Sequence, residues 1–310
     1  LAERKLPVFI ISGNHDSPER LSFANRLIDA AGIHLAPVYN GMVEPIALSD
    51  EYGPVNVYML PFIKPAHVRG FFPDTEITGY SDAVAAAIGR MNIDKTQRNV
   101  LITHQFVTGA QRSDSEELSV GGTDNIGAEV FCDFDYVALG HIHGPQNMDS
   151  GRIRYCGSPL KYSFSEAAQQ KSVTVAKLKE KGALEIHTVP LIPRRDMVEL
   201  KGSYQQLTLR EFYENTTYQE DYTHITLTDE EDIPDAVAKL RTVYHNLMKL
   251  DYDNTRTRHS AAISGAENVE TRSPIDLFAE FYELQNGLPM SAEQTELVAS
   301  LIEKIWEGEE

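Results

Sequence analysis

Several things are scarce or missing in this chain, and each narrows what it can be. Nowhere in its 310 residues is there an apolar run near the roughly 18 needed to cross a bilayer, so no membrane-spanning helix is expected. The opening segment Leu1–Pro7 is too polar and short for a secretory signal. There are only two cysteines, Cys132 and Cys156, too few for a disulfide framework and in no metal-binding spacing. They are expected to be buried, reduced thiols, which makes the cytoplasm the expected compartment. Basic residues are also short: 28 Lys and Arg stand against 46 Asp and Glu, a net charge of −18. That excludes a generally basic nucleic-acid binder, so any contact with phosphate must be local or metal-mediated. There is no Gly-x-x-x-x-Gly-Lys-Ser/Thr loop, so ATP hydrolysis cannot originate here. No internal repeat or low-complexity tract is visible.

What is present reads as a globular protein, 42% hydrophobic and 24% charged, long enough for one large or two to three smaller domains. Strands are predicted at 7–12, 55–62, 99–105, 136–140, 152–156, 172–178 and 184–191. Helices are predicted at 19–31, stopping at Gly32, and at 81–91. The later strands follow one another without long helices between them, which predicts two packed sheets with helices outside. After Pro190-Leu-Ile-Pro193 the pattern changes. A strand at 223–228 and an amphipathic helix at 232–247, with Val237, Leu240, Val243 and Leu247 at helical spacing, predict a small α/β domain. A polar linker follows at 255–272, then helices at 275–285 and 291–306. The expected domains are 1–192, 193–262 and 263–310.

The residues that carry chemistry lie where predicted strands end. Gly13-Asn14-His15-Asp16 follows the first strand, His104 closes another, and Gly140-His141-Ile142-His143 follows a third. Strand ends are where binding groups converge in α/β sheets. Neutral imidazoles suit Mn, Fe or Zn, and an amide oxygen such as that of Asn14 is a harder ligand that favours Mn over a pure zinc cage. Two ions about 3.5–4 Å apart are suited to hydrolysing phosphate esters. Histidines 34, 67, 187, 224, 245 and 259 have no such company and are read as structural.

Gly-Asn-His-Asp at 13–16, the strand ending in His104 and Gly-His-Ile-His at 140–143 resemble the calcineurin-like metallophosphoesterase superfamily. Gly157-Ser158-Pro159-Leu160 and the tail Asp276-Leu-Phe-Ala-Glu-Phe-Tyr282 resemble its DNA-nuclease branch, so the likeness runs nearly from end to end. It implies a two-sheet α/β sandwich with flanking helices, a small capping domain and C-terminal helices. It also implies two Mn ions, with Mg or another divalent ion as the alternative. Asn14, His104 and His141 would hold one ion and His143 the other. His15 would be the general acid for the leaving 3′ oxygen, Asp16 would orient His15, and Ser158 and Lys161 would be weaker contacts to phosphate. The implied activity is 3′→5′ exonuclease and hairpin endonuclease action on double-stranded DNA, as a dimer with an ATPase partner. That partner would dock on Phe278, Phe281, Tyr282, Leu284, Leu297, Leu301, Ile305 and Trp306. The superfamily also carries Asp-x-His and Gly-Asp-x-x-Asp ahead of Gly-Asn-His-Asp. Neither occurs in the twelve residues before Gly13, so the chain is expected to be an N-terminally shortened form with its two-metal centre incomplete, inactive on its own. Two other readings stay open: a docking module that does not cut, and a small-molecule phosphodiesterase.

Overall fold

The computed structural model describes residues 2–22, 32–113, 116, 125–257, 274–286 and 289–307. β1 (Val8–Ile11) pairs in parallel with β2 (Ile33–Ala36), Ile10 opposite Leu35. Between them lies α1 (Pro18–Ser22); the rest of the expected helix, 23–31, falls outside the described residues. Gly32, the expected stop, has φ +76°, a conformation glycine adopts without strain.

A six-stranded sheet follows. Its members are β3 (Ile46–Asp50), β4 (Gly53–Leu60), β5 (Arg98–His104), then, past the short parallel pair β6 (Phe106–Val107) and β7 (Asn125–Ile126), β8 (Tyr136–Gly140), β9 (Gln146–Met148) and β10 (Ile153–Tyr155). The order is β3-β4-β5-β8-β10-β9. The four inner strands β4, β5, β8 and β10 run parallel, with antiparallel edges at each side. Parallel strands are covered on both faces and so read as nearly continuous apolar runs. Val57–Leu60, Leu101, Val137, Leu139 and Ile153 are buried accordingly.

Two helices stand between β4 and β5: α2 (Pro65–Arg69) and α3 (Tyr80–Gly89). α3 is alanine-rich and turns Ala83, Val84, Ala87 and Ile88 into the core. Its first turn is closed by Asp82, whose carboxylate accepts from the Thr78 and Gly79 amides and the Thr78 hydroxyl. A separate antiparallel pair, β11 (Ser172–Leu178) with β12 (Leu184–Pro190), follows the central sheet. The mixed α/β architecture is the one the resemblance implied.

The remaining strands, β13 (Met197–Gly202), β14 (Tyr222–Leu227) and β15 (Asn246–Tyr252), form a three-stranded sheet in that order. α4 (Tyr204–Thr208), α5 (Arg210–Tyr213) and α6 (Ala236–Arg241) connect them. The helix expected at 232–247 is corrected here. Only 236–241 is helical, and Leu247 lies in β15. Leu240 and Leu247 are both buried, but so is Tyr244, whose hydroxyl donates to the Leu207 carbonyl at 2.6 Å. Positions seven apart satisfy two helical turns and a helix-then-strand path equally well.

Compactness divides the chain into two units. One holds Leu1–Lys201, Gln205–Ile225 and Asp235–Leu250; the other holds Gly202–Tyr204, Thr226–Pro234 and Asp251–Glu310. In the second, the Thr228 amide donates to the Gly202 carbonyl and the Tyr204 amide to Asp229 at 2.7 Å. The expected linker lies mostly in 258–273, outside the described residues. Both C-terminal helices form, α7 (Pro274–Asn286) and α8 (Ala292–Glu307), joined by Gln294 Nε2 donating to the Tyr282 hydroxyl at 2.9 Å. Phe278, Phe281, Leu297 and Leu301 are exposed, while the side chains of Leu284, Ile305 and Trp306 lie outside the described residues.

The expected burial of the cysteines is also corrected. Cys132 and Cys156 both reach solvent, because each sits just beyond an element end, after Phe131 and Tyr155. Desolvation beside β10 still pushes the Cys156 thiol above its ordinary value. Among the described residues no helix is long and apolar enough to cross a membrane.

Candidate active site

His104 closes β5 opposite Gly140, the last residue of β8. Its imidazole lies between two glycines. A Cβ on Gly13 would stand 2.7 Å from Cε1 of the ring, and one on Gly140 2.7 Å from Nδ1. Any larger residue at either position would overlap the ring. Phe62 meets the ring edge-on at 6.1 Å between centroids, and His141 at 5.3 Å. The Asn14 side-chain oxygen is 2.9 Å from His104 Nε2. An amide oxygen only accepts, so Nε2 carries the proton in this contact. Burial, reinforced by the neighbouring His141, pulls the His104 pKa down to about 4. The ring is therefore neutral near pH 7, the state in which imidazole binds metal.

His141 follows directly after β8, with φ +106°, a backbone conformation that costs a non-glycine residue on the order of 1–3 kcal/mol. Such strain gathers at functional sites, and here it turns the chain at the end of β8, where His104 and Phe106 flank the His141 ring.

His143, two residues on, is held at several points. Its ring Nδ1 is 3.1 Å from Glu166 Oε1, its amide donates to the Glu116 carboxylate, and its carbonyl accepts from the Ser158 amide at 3.0 Å and from Lys171 Nζ at 2.9 Å. Lys171 Nζ also stands 2.5 Å from Glu166 Oε2 and donates to Gln169 at 2.7 Å and the Ser158 hydroxyl at 3.0 Å. Tyr162 lies beside the His143 ring at 5.6 Å. Gly157 permits this arrangement: its φ is +79°, and a Cβ there would come within 2.6 Å of the His143 carbonyl.

Asn14, His104 and His141 are thus brought together, and His143 follows them. His15, next to Asn14 in the same turn, is exposed. The Asp16 carboxylate accepts from the Gly13 amide at 2.7 Å, closing the turn that carries Asn14 and His15. The Ser158 hydroxyl donates to the Leu160 carbonyl at 2.7 Å. Lys161 Nζ is engaged by the Ala167 carbonyl at 2.6 Å and by Asp196 at 2.8 Å. Glu116, Glu166, Lys171 and Tyr162 were not foreseen. They sit in turns without hydrophobic periodicity, and nothing in the sequence pairs them with His143.

The donors suit a divalent ion in part. Two ligands at right angles on a six-coordinate ion, each about 2.1 Å away, stand about 3 Å apart, close to the 2.9 Å between Asn14 Oδ1 and His104 Nε2. Among the described residues, however, no three His, Cys, Asp or Glu side chains are arranged to hold an ion, so no carboxylate there completes the set.

Known proteins resemble this chain over nearly its whole length. Residues 193–286 match a family described as the type 5 capsule protein repressor C-terminal domain, SbcD_C. A curated relative from Staphylococcus epidermidis, named as the D subunit of the nuclease SbcCD, is 30% identical over 99% of this chain and 80% of its own length. A protein of the same name from Staphylococcus saprophyticus is 29% identical over 98% of this chain and 80% of its own length.

Proposed function

The chain belongs to the family of D subunits of the SbcCD nuclease, and from that premise we propose that it serves metal-dependent hydrolysis of DNA phosphodiesters in a complex with the ATPase SbcC. The observation that carries this reading is the His104 ring fixed between Gly13 and Gly140 with the Asn14 oxygen on its Nε2. Two backbone positions are kept bare so that one neutral imidazole stands within 2.9 Å of one amide oxygen.

In this reading Asn14, His104 and His141 hold one Mn ion and His143 belongs to a second, with Mg or another divalent ion as the alternative. When bound, the ions supply an activated water and charge stabilisation for the leaving oxygen. The protein's own groups do the rest. His104 is already neutral, so holding an ion at Nε2 asks only that the ring proton shift to Nδ1. The Asp16 bridge to the Gly13 amide holds the turn in shape, and the exposed His15 delivers a proton to the leaving 3′ oxygen. Substrates are double-stranded ends and hairpins, cut as 3′→5′ exonuclease and endonuclease in DNA repair and recombination in the cytoplasm. The assembly is a homodimer of this chain within a heterotetramer with SbcC.

A second reading, docking without cutting, is favoured by the exposed apolar side chains of α7 and α8. The test is Mn-dependent cleavage of an end-labelled duplex by the full chain with SbcC, beside His15→Ala and His104→Ala. Cleavage lost in both variants supports the catalytic reading. Cleavage unchanged by His104→Ala overturns the site. SbcC binding without cleavage transfers the conclusion to docking. Hydrolysis of bis(p-nitrophenyl) phosphate with no action on DNA would point to a small-molecule substrate.

A further inference from the structure

His143 is held by a charge pair that its role as a ligand does not by itself require. Glu166 is fully buried, and the Lys171 side chain is 3% exposed. Placing two opposite charges out of water carries a large desolvation cost, which is recovered only with tight geometry and further hydrogen bonds. Both conditions are met: 2.5 Å between the charges, and additional acceptors for the ammonium. A well-packed apolar pair would fill such a space at no lower stability. The contacts instead converge on one residue. Glu166 takes the His143 ring at Nδ1, Lys171 takes the His143 carbonyl, and Lys171 and Glu166 hold each other.

We propose that the buried Glu166–Lys171 pair positions His143 for the nuclease centre, fixing its ring as the Nδ1–H tautomer with the lone pair on Nε2; this rests on the reading given under Proposed function. A carboxylate can only accept, so Nδ1 must carry the proton at 3.1 Å from Glu166. Lys171 pairs with the other Glu166 oxygen and, through the His143 carbonyl, ties down the backbone that carries the ring. Glu166 and Lys171 act through His143 and are positioning residues. Outer partners of this kind change metal affinity by about 10–100-fold when removed.

The test uses the full chain with the histidine ring nitrogens labelled, and it has two readouts. Without metal, ¹H–¹⁵N correlation through the ring reports the His143 tautomer. With Mn²⁺ alone as the probe, electron paramagnetic resonance counts sites and affinities. Expected are a pure Nδ1–H tautomer in the parent chain, a mixed tautomer in Glu166→Leu, which removes the acceptor, and an about 10–100-fold weaker second Mn site with the first unchanged. Glu166→Leu leaves Lys171 uncompensated and can fail to fold. The double variant Glu166→Leu/Lys171→Met removes both charges and must show the same mixed tautomer. An unchanged tautomer in the folded double variant overturns the proposal, as does a parent chain already mixed. His143→Ala separates the two claims: if it leaves Mn binding untouched, the metal-site reading fails, while the tautomer measurement still decides the positioning.

Discussion

Gly140→Ala adds one methyl group where the His104 ring already stands. The new Cβ would lie 2.7 Å from Nδ1, so the ring must retreat by about 0.8 Å to regain ordinary contact. Retreat is blocked. Gly13 leaves no more room on its side, Phe62 stands at the ring's edge, and the Asn14 bond holds Nε2. Gly140 is not in the left-handed region, so alanine brings no backbone strain there and would otherwise stabilise the strand by about 0.5–1 kcal/mol. Overpacking costs about 1–3 kcal/mol. The net expectation is a loss of about 1–2 kcal/mol, or a melting temperature lower by about 2–8 °C for a unit of this size. The assay is thermal unfolding of four proteins: the parent chain, Gly140→Ala, His104→Ala, and the double variant. With the ring gone the methyl has space, so the penalty of Gly140→Ala should vanish in the His104→Ala background, a coupling of about 1–3 kcal/mol. A melting temperature raised by Gly140→Ala, or a penalty that survives loss of the ring, refutes the argument that these glycines exist to admit His104.

Other consequences follow from named contacts. His104 has a folded pKa of about 4 against an ordinary 6.5, so the unfolded chain binds the extra proton. Stability in the metal-free protein should be full above pH 6.5 and fall as pH drops towards 4, by on the order of 3 kcal/mol. Urea unfolding at about pH 7 and about pH 4.5 checks this, and a decline just as steep in His104→Ala would assign it to other groups. Tyr155 is fully buried, accepts from the Val107 amide at 2.8 Å and donates to the Gln105 carbonyl at 2.7 Å. Tyr155→Phe strands both backbone groups beside His104 and should destabilise by about 1–3 kcal/mol in a denaturant titration. Lys161 is committed to Asp196 and the Ala167 carbonyl. Lys161→Met strands the Ala167 carbonyl and should lower stability by about 1–3 kcal/mol while leaving duplex binding unchanged in a fluorescence anisotropy titration.

The inner strands were legible because a parallel strand covered on both faces is written as an apolar run, as in Val57–Leu60 and Tyr136–Gly140. The imidazole cluster was legible for a related reason: each run stops at a histidine or shortly before one. Edge strands escaped. β3 is five residues with two polar ones, Ser49 and Asp50, and much of it faces solvent. The start of β15 was hidden inside a helical period because Leu240 and Leu247 are buried whichever path joins them. The Glu166–Lys171 pair was unreadable for a deeper reason. Its partner is a histidine well back along the chain, and the meeting depends on a 3₁₀ turn at Phe164–Glu166 and the left-handed Gly157, neither of which leaves a periodic trace.

The register of the central sheet also sets the order in which the protein can be made. Tyr58 pairs with Leu101, and Leu101 with Val137, across long intervening stretches of chain. Parallel neighbours of this kind cannot zip from a hairpin; each closure loses chain entropy before any ladder bond repays it. During synthesis the β3–β4 hairpin of this sheet can form first, β5 and then β8 must wait for their own residues to emerge, and β10 comes later still. Asn14 is made early, yet His104, His141 and His143 reach it only as successive closures finish. The place that would do chemistry on phosphate therefore cannot exist before β8 has closed on β5, and a chain stopped short of His141 carries Asn14 and His104 without yet having the site.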